Sequence, residues 1–86
     1  MEFAEGEHYQ FMDKLKAVAE FPNAQVSTID GIRVDYNDGF GLVRPSNTTP
    51  ILVLRFEADS QESLTTIQAA FASAIRQVDS DITIPF

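Results

Sequence analysis

The sequence contains no cysteine and a single histidine, His8. The first absence excludes disulfide bridges, thiolate catalysis and Cys-type zinc or iron–sulfur sites, and the second leaves no His-rich metal centre. Basic residues are also few. Six Lys and Arg stand against thirteen Asp and Glu, a formal net charge of −7, so the mean field repels nucleic acid and anionic lipid. No apolar run nears the ~18 residues of a membrane span. The first twenty residues carry Glu2, Glu5, Glu7, Asp13 and Glu20 and no apolar block of signal-peptide length. The expectation is a cytoplasmic chain without nucleic-acid or membrane partners.

What is present is 86 residues, 44% of them hydrophobic and spread from Phe3 to Phe86. That suffices for one small domain, residues 1–86. A chain of this size hides only ~60–65% of its unfolded surface, too little to enclose a deep catalytic pocket. Any active cleft is expected to be shared with neighbouring domains.

From Tyr9 to Glu20 the residues Phe11, Met12, Leu15, Val18 and Ala19 form one stripe of a 3.6-residue repeat, a first helix ended by Phe21-Pro22-Asn23. Ala24 to Ile29 and Ile32 to Tyr36 flank Asp30-Gly31 and predict a hairpin with a two-residue turn. Asn37-Asp38-Gly39 signals another turn before a strand over Phe40–Arg44, in which Gly41 marks a bulge or close backbone approach. Ile51 to Ala58 alternates as a fourth strand, long enough to sit centrally. Asp59 with Glu62 resembles a capping box, Ser60 being the competing cap. Leu64, Ile67, Phe71, Ala74, Ile75 and Val78 then make a helical stripe to about Val78. The tail, residues 79–86, reads as extended and partly ordered by Ile82, Ile84 and Phe86. The fold class is therefore α+β: a four-stranded antiparallel sheet with two helices on one face, in the order α-β-β-β-β-α.

Chemistry concentrates in Arg44-Pro45-Ser46-Asn47-Thr48-Thr49-Pro50, between two apolar strands. The two prolines fix their own φ and bias Arg44 and Thr49 toward extended backbone, so the loop has less freedom to lose on binding. An arginine fork, the hydroxyls of Ser46, Thr48 and Thr49, the Asn47 amide and the backbone N–H groups are all donors suited to an oxyanion. On residues alone, a solvated polar turn fits the same composition. His8, before the first helix with no orienting partner, reads as a solvated or helix-start histidine. Arg33, Asp35, Arg55 and Glu57 read as cross-strand pairs on a wet sheet face, and Asp79 with Asp81 as exposed carboxylates.

The runs Asp30-Gly31-Ile32-Arg33-Val34-Asp35-Tyr36, Gly39-Phe40-Gly41-Leu42-Val43-Arg44-Pro45-Ser46-Asn47-Thr48-Thr49-Pro50 and Leu54-Arg55-Phe56-Glu57-Ala58 resemble the C-terminal domain of the α-D-phosphohexomutases. The likeness is greatest to the bacterial phosphomannomutase/phosphoglucomutase branch. It runs from about Asp30 to the final Pro-Phe, and residues 1–29 match only as a helix of the right kind. The resemblance implies a TBP-like fourth domain of an isomerase that interconverts hexose 1-phosphate and hexose 6-phosphate. Such a domain closes the cleft and holds the phosphate that is not being transferred. By matching position the contacts would be Arg44, Ser46, Asn47 and Thr48, with Thr49 at a more variable place. The implied partners are a phosphorylated hexose and the three preceding domains. Magnesium and a glucose 1,6-bisphosphate-type activator are implied for the whole enzyme, not for this chain.

The family's phosphoserine Ser-His pair, its Asp-x-Asp-x-Asp magnesium loop and its Gly-Glu-x-Ser-Gly-His sugar loop are missing here. No catalytic residue and no metal ligand is expected within these 86 residues. A stand-alone protein-interaction domain on the same fold is the alternative of a different class.

Overall fold

The computed structural model describes residues 1–86. Helix α1 (Glu7–Val18) leads into strands β1 (Gln25–Ser27), β2 (Ile32–Tyr36), β3 (Gly39–Pro45) and β4 (Leu52–Ala58), and helix α2 (Gln61–Val78) follows. The strands form one antiparallel meander, β1-β2-β3-β4, with both helices on one face, as the hydrophobic patterning predicts.

Alternation divides the sheet cleanly. Ile32 and Val34 of β2, Val43 of β3 and Leu52 of β4 are buried and meet Phe11, Met12 and Leu15 of α1 and Ile67, Phe71, Ala74 and Ile75 of α2 in one core. Phe71 sits at its centre, its ring centroid 4.9 Å from Phe21 and 5.2 Å from Phe56. Gly41 faces this ring: a Cβ there would stand 2.3 Å from Phe71 Cε1. Gly41 thus forms no bulge, pairing in register with Val34 and Phe56, and what approaches it is a core side chain rather than backbone. The opposite face carries Arg33, Asp35, Phe40, Leu42, Arg44, Val53, Arg55 and Glu57.

Four local expectations give way to tertiary demands. Helix α1 stops at Val18, before Pro22, because the chain must turn to bury Phe21, which is 8% exposed. The Asp30-Gly31 turn is not a two-residue turn: Ser27 pairs with Arg33 and only Gly31 has positive φ, at 85°. This is the pattern of a longer loop with a left-handed glycine, and it leaves β1 short and Ile29 exposed. Strand β4 lies at the sheet edge, not centrally, because successive hairpins put β2 and β3 in the middle. A single bridge, Glu2 with Ile51, extends the sheet beyond it. Ser60, not Asp59, caps α2, accepting the Ser63 N–H at 3.1 Å. In the tail, Ile82 and Ile84 pack against the core and Phe86 meets Phe56 at 4.8 Å.

Candidate functional site

The β3–β4 connection begins where Pro45 pairs with Leu52. Ser46 N–H donates to Ile51 O at 3.0 Å and Ile51 N–H to Thr49 O at 2.8 Å, closing the loop at its base. Phe3 N–H donates to Pro50 O at 2.8 Å and Leu52 N–H to Met1 O at 2.9 Å, bracing the base from the other side.

Within the loop the hydroxyls converge. Ser46 Oγ accepts the Thr48 N–H and the Thr49 hydroxyl, each at 3.3 Å, and lies 3.3 Å from Thr48 Oγ1. With its two lone pairs taken, Ser46 Oγ gives its own proton to Thr48 Oγ1. The result is a hydroxyl chain, Thr49 to Ser46 to Thr48, whose free O–H is that of Thr48, and such chains polarise one another. Asn47 is exposed, and its backbone N–H has no partner within the chain.

Arg44 stands at the loop's entrance on the sheet face opposite the helices. It pairs with Val53 and lies beside Gly31, where a Cβ would come within 2.7 Å of Arg44 Cβ and 2.8 Å of its Cα. Gly31 therefore serves two ends at once: its positive φ makes the turn, and its bare Cα lets that turn press against the Arg44 backbone. Arg44 is half-buried and has no ion-pair partner. The other two arginines of this face are engaged. Arg33 binds Asp35 at 3.1 Å and lies over the Phe40 ring at 4.3 Å, and Arg55 binds Glu57 at 3.1 Å. The Asp35 hydrogen bond pushes Arg33 further above the ordinary arginine value. These pairs lie along one strand, at i and i+2, and not across strands as the sequence suggested: the cross-strand neighbours of Arg33 and Arg55 are both Leu42.

Of the expected site residues, the loop brings together Ser46, Thr48 and Thr49. Arg44 and Asn47 are left with their donors unengaged. Three surface hollows are lined by other residues, among them Phe3 and Lys14, Asn23 and Tyr36, and Phe40 and Leu64. None of these three hollows is lined by residues 44–49. The Asp, Glu and His side chains form no group of three or more able to hold a metal ion. No helix is long and apolar enough to cross a membrane.

His8 does lie at the start of α1, as the sequence suggested, but it is not solvated. It is 3% exposed and hydrogen-bonds Ser46 O through Nε2 at 3.2 Å, while the Tyr9 hydroxyl donates to the same oxygen at 3.3 Å. The contact joins residues 38 positions apart, so no local pattern could reveal it; the only trace was a histidine one position before an aromatic at the start of a helix.

The profile of the C-terminal domain of phosphoglucomutase/phosphomannomutase matches residues 7–74. The chain belongs to that family. It is 45% identical over 82 residues to the phosphomannomutase/phosphoglucomutase of Pseudomonas aeruginosa PAO1, a match covering 95% of this chain and 18% of that protein. It is 59% identical over 68 residues to the phosphoglucomutase of Neisseria meningitidis serogroup B, covering 78% of this chain and 15% of that one. The crystal structure of a phosphoglucomutase/phosphomannomutase family protein from Burkholderia thailandensis superposes with a TM-score of 0.86 at 50% identity. That match covers 92% of this chain and 18% of that chain. The chain thus spans less than a fifth of the length of these relatives and is similar to them over 78% to 95% of its own.

Proposed function

We propose that this chain is the cleft-closing domain of a four-domain phosphohexomutase and that its Arg44–Thr49 loop grips the phosphate that is not being transferred. The parent enzyme interconverts a hexose 1-phosphate and a hexose 6-phosphate in the cytoplasm. The observation that carries this reading is the free guanidinium of Arg44 beside a loop with unengaged donors, on a face whose other arginines are already neutralised.

Each donor has a role that follows from its chemistry. Arg44 supplies two parallel N–H groups matching two phosphate oxygens. Thr48 ends the hydroxyl chain and offers its O–H, and Asn47 offers its side-chain amide and its backbone N–H. Ser46 and Thr49 polarise Thr48 and hold the loop's shape. Such a grip recognises oxyanion geometry rather than the sugar ring, so one loop serves either phosphate when the sugar is presented in reverse. Charge-assisted bonds contribute about 1.5–3 kcal/mol each. Screening acts over ~8 Å at physiological salt, so four local donors outweigh a diffuse net charge of −7.

The work of this chain is binding and orientation. Magnesium and a bisphosphorylated activator belong, on this reading, to the preceding domains, and no step here passes through them. The family match does not favour a stand-alone interaction domain.

The test is a proton–nitrogen NMR titration of the chain with glucose 6-phosphate, with free glucose and inorganic phosphate as controls. The expected result is shifts confined to Arg44 through Thr49, caused by the sugar phosphate and by phosphate but not by glucose. The dissociation constant should lie near the millimolar level, roughly −4 kcal/mol. Shifts caused equally by glucose, or centred on another face, would overturn the reading.

A further inference from the structure

Helix α1 reaches the loop through two neighbouring side chains. His8 Nε2 and the Tyr9 hydroxyl both meet Ser46 O, at 3.2 and 3.3 Å, and their rings lie 4.0 Å apart between centroids. A carbonyl oxygen only accepts, so Nε2 carries the proton, and the two donors occupy both lone pairs of that oxygen. His8 Nδ1 is buried without a partner. An apolar side chain would fill this space without leaving a buried nitrogen unpaired. What histidine adds at this position is therefore its Nε2 donor.

The planar trans peptide carries the contact across one bond. No peptide bond of the chain is cis, so the Ser46 carbonyl and the Asn47 N–H point in opposite directions within one plane. Holding the carbonyl against α1, on the helix-covered side, turns the Asn47 N–H toward the outer side of the sheet. That is the face to which Arg44 belongs, and the Asn47 N–H has no partner within the chain.

We propose that His8 and Tyr9 are positioning residues, which set the Ser46–Asn47 peptide so that its N–H joins Arg44 in holding phosphate. The role rests on the phosphate reading given above. Both side chains lie on the far side of the loop from the ligand and act only through Ser46.

The experiment has two arms, both on the 86-residue chain. Without ligand, the nitrogen shifts of the His8 ring at mildly alkaline pH report its tautomer. The expected result is a protonated, slowly exchanging Nε2 and a bare Nδ1. A proton on Nδ1, or a ring averaging between tautomers, overturns the proposal whatever the loop binds. With ligand, inorganic phosphate is titrated into the wild type, a His8→Ala/Tyr9→Phe double variant, and His8→Gln, whose side-chain N–H replaces the lost donor. The double variant is expected to bind about tenfold more weakly, with the changed shifts centred on the Asn47 amide, and His8→Gln to stay within about threefold of wild type. Equal affinity in the double variant overturns this role and leaves the phosphate reading standing. Failure of the wild type to bind phosphate overturns both. Should the double variant not fold, Tyr9→Phe alone keeps the exposed ring and removes one donor. A loss of about threefold is expected there, and no loss overturns the proposal.

Discussion

Gly41 gives the strictest test of the packing, because its neighbour is a ring with nowhere to go. A methyl group added by Gly41→Ala would lie 2.3 Å from Phe71 Cε1, 2.7 Å from Cζ and 3.0 Å from Cδ1. The favourable carbon–carbon separation is ~3.5–4.0 Å, so the ring must withdraw by more than ~1 Å. Phe71 is 1% exposed and is held between Phe21 and Phe56, so withdrawal displaces the core itself. Overpacking of this kind costs about 1–3 kcal/mol, and in a domain of this size each kcal/mol lowers Tm by roughly 4–8 °C. Urea denaturation followed by circular dichroism should show a lower midpoint with an unchanged slope. Phe71→Leu should partly relieve the clash, so that the double variant loses less than the two single losses together. A Gly41→Ala variant within about 0.5 kcal/mol of wild type, or strictly additive losses, would refute the reasoning.

Two further predictions concern stability. Burial, helped by the charge of Asp38, raises the Tyr36 phenol above the ordinary value near 10. The folded state then holds that proton more tightly than the unfolded chain, so the contribution is full below pH ~10 and is lost as pH rises through the raised value. Tyr36→Phe should flatten the alkaline limb of a Tm-against-pH curve; an unchanged limb would contradict it. Ser60→Ala removes the acceptor for the Ser63 N–H and should cost about 1 kcal/mol in a urea melt, while Asp59→Ala should cost less, since Asp59 is not the cap.

The sequence made legible whatever depends on near neighbours. The stripe Leu64, Ile67, Phe71, Ala74, Ile75 and Val78 specifies α2 because each member buries the same helix face. The alternation in β2 and β4 specifies which residues enter the core. The Arg44–Thr49 loop stands out in the sequence as a candidate site because its donors are consecutive and its prolines stiffen the backbone around them. What stayed hidden depends on residues far apart in the chain. The Gly31 turn takes a longer loop because it must pack against Arg44, and β4 ends at the edge because of the order of hairpins. The ion pairs of Arg33 and Arg55 run along their strands because the residue opposite each is Leu42. His8 was legible as a helix-start residue, but its burial and its bond to Ser46 exist only once α1 has docked beside the loop.

The central claim is that Arg44 anchors a phosphate grip, and the most direct measurement is the phosphate affinity of Arg44→Ala beside that of the wild type. Arg44 is only half-buried and unpaired, so its removal should leave the amide spectrum of the core and the urea midpoint nearly unchanged. Loss of a bidentate charged contact of about 1.5–3 kcal/mol should weaken binding of glucose 6-phosphate by roughly ten- to a hundredfold, beyond detection for a millimolar site. A folded Arg44→Ala chain that binds the sugar phosphate as the wild type does would contradict the account.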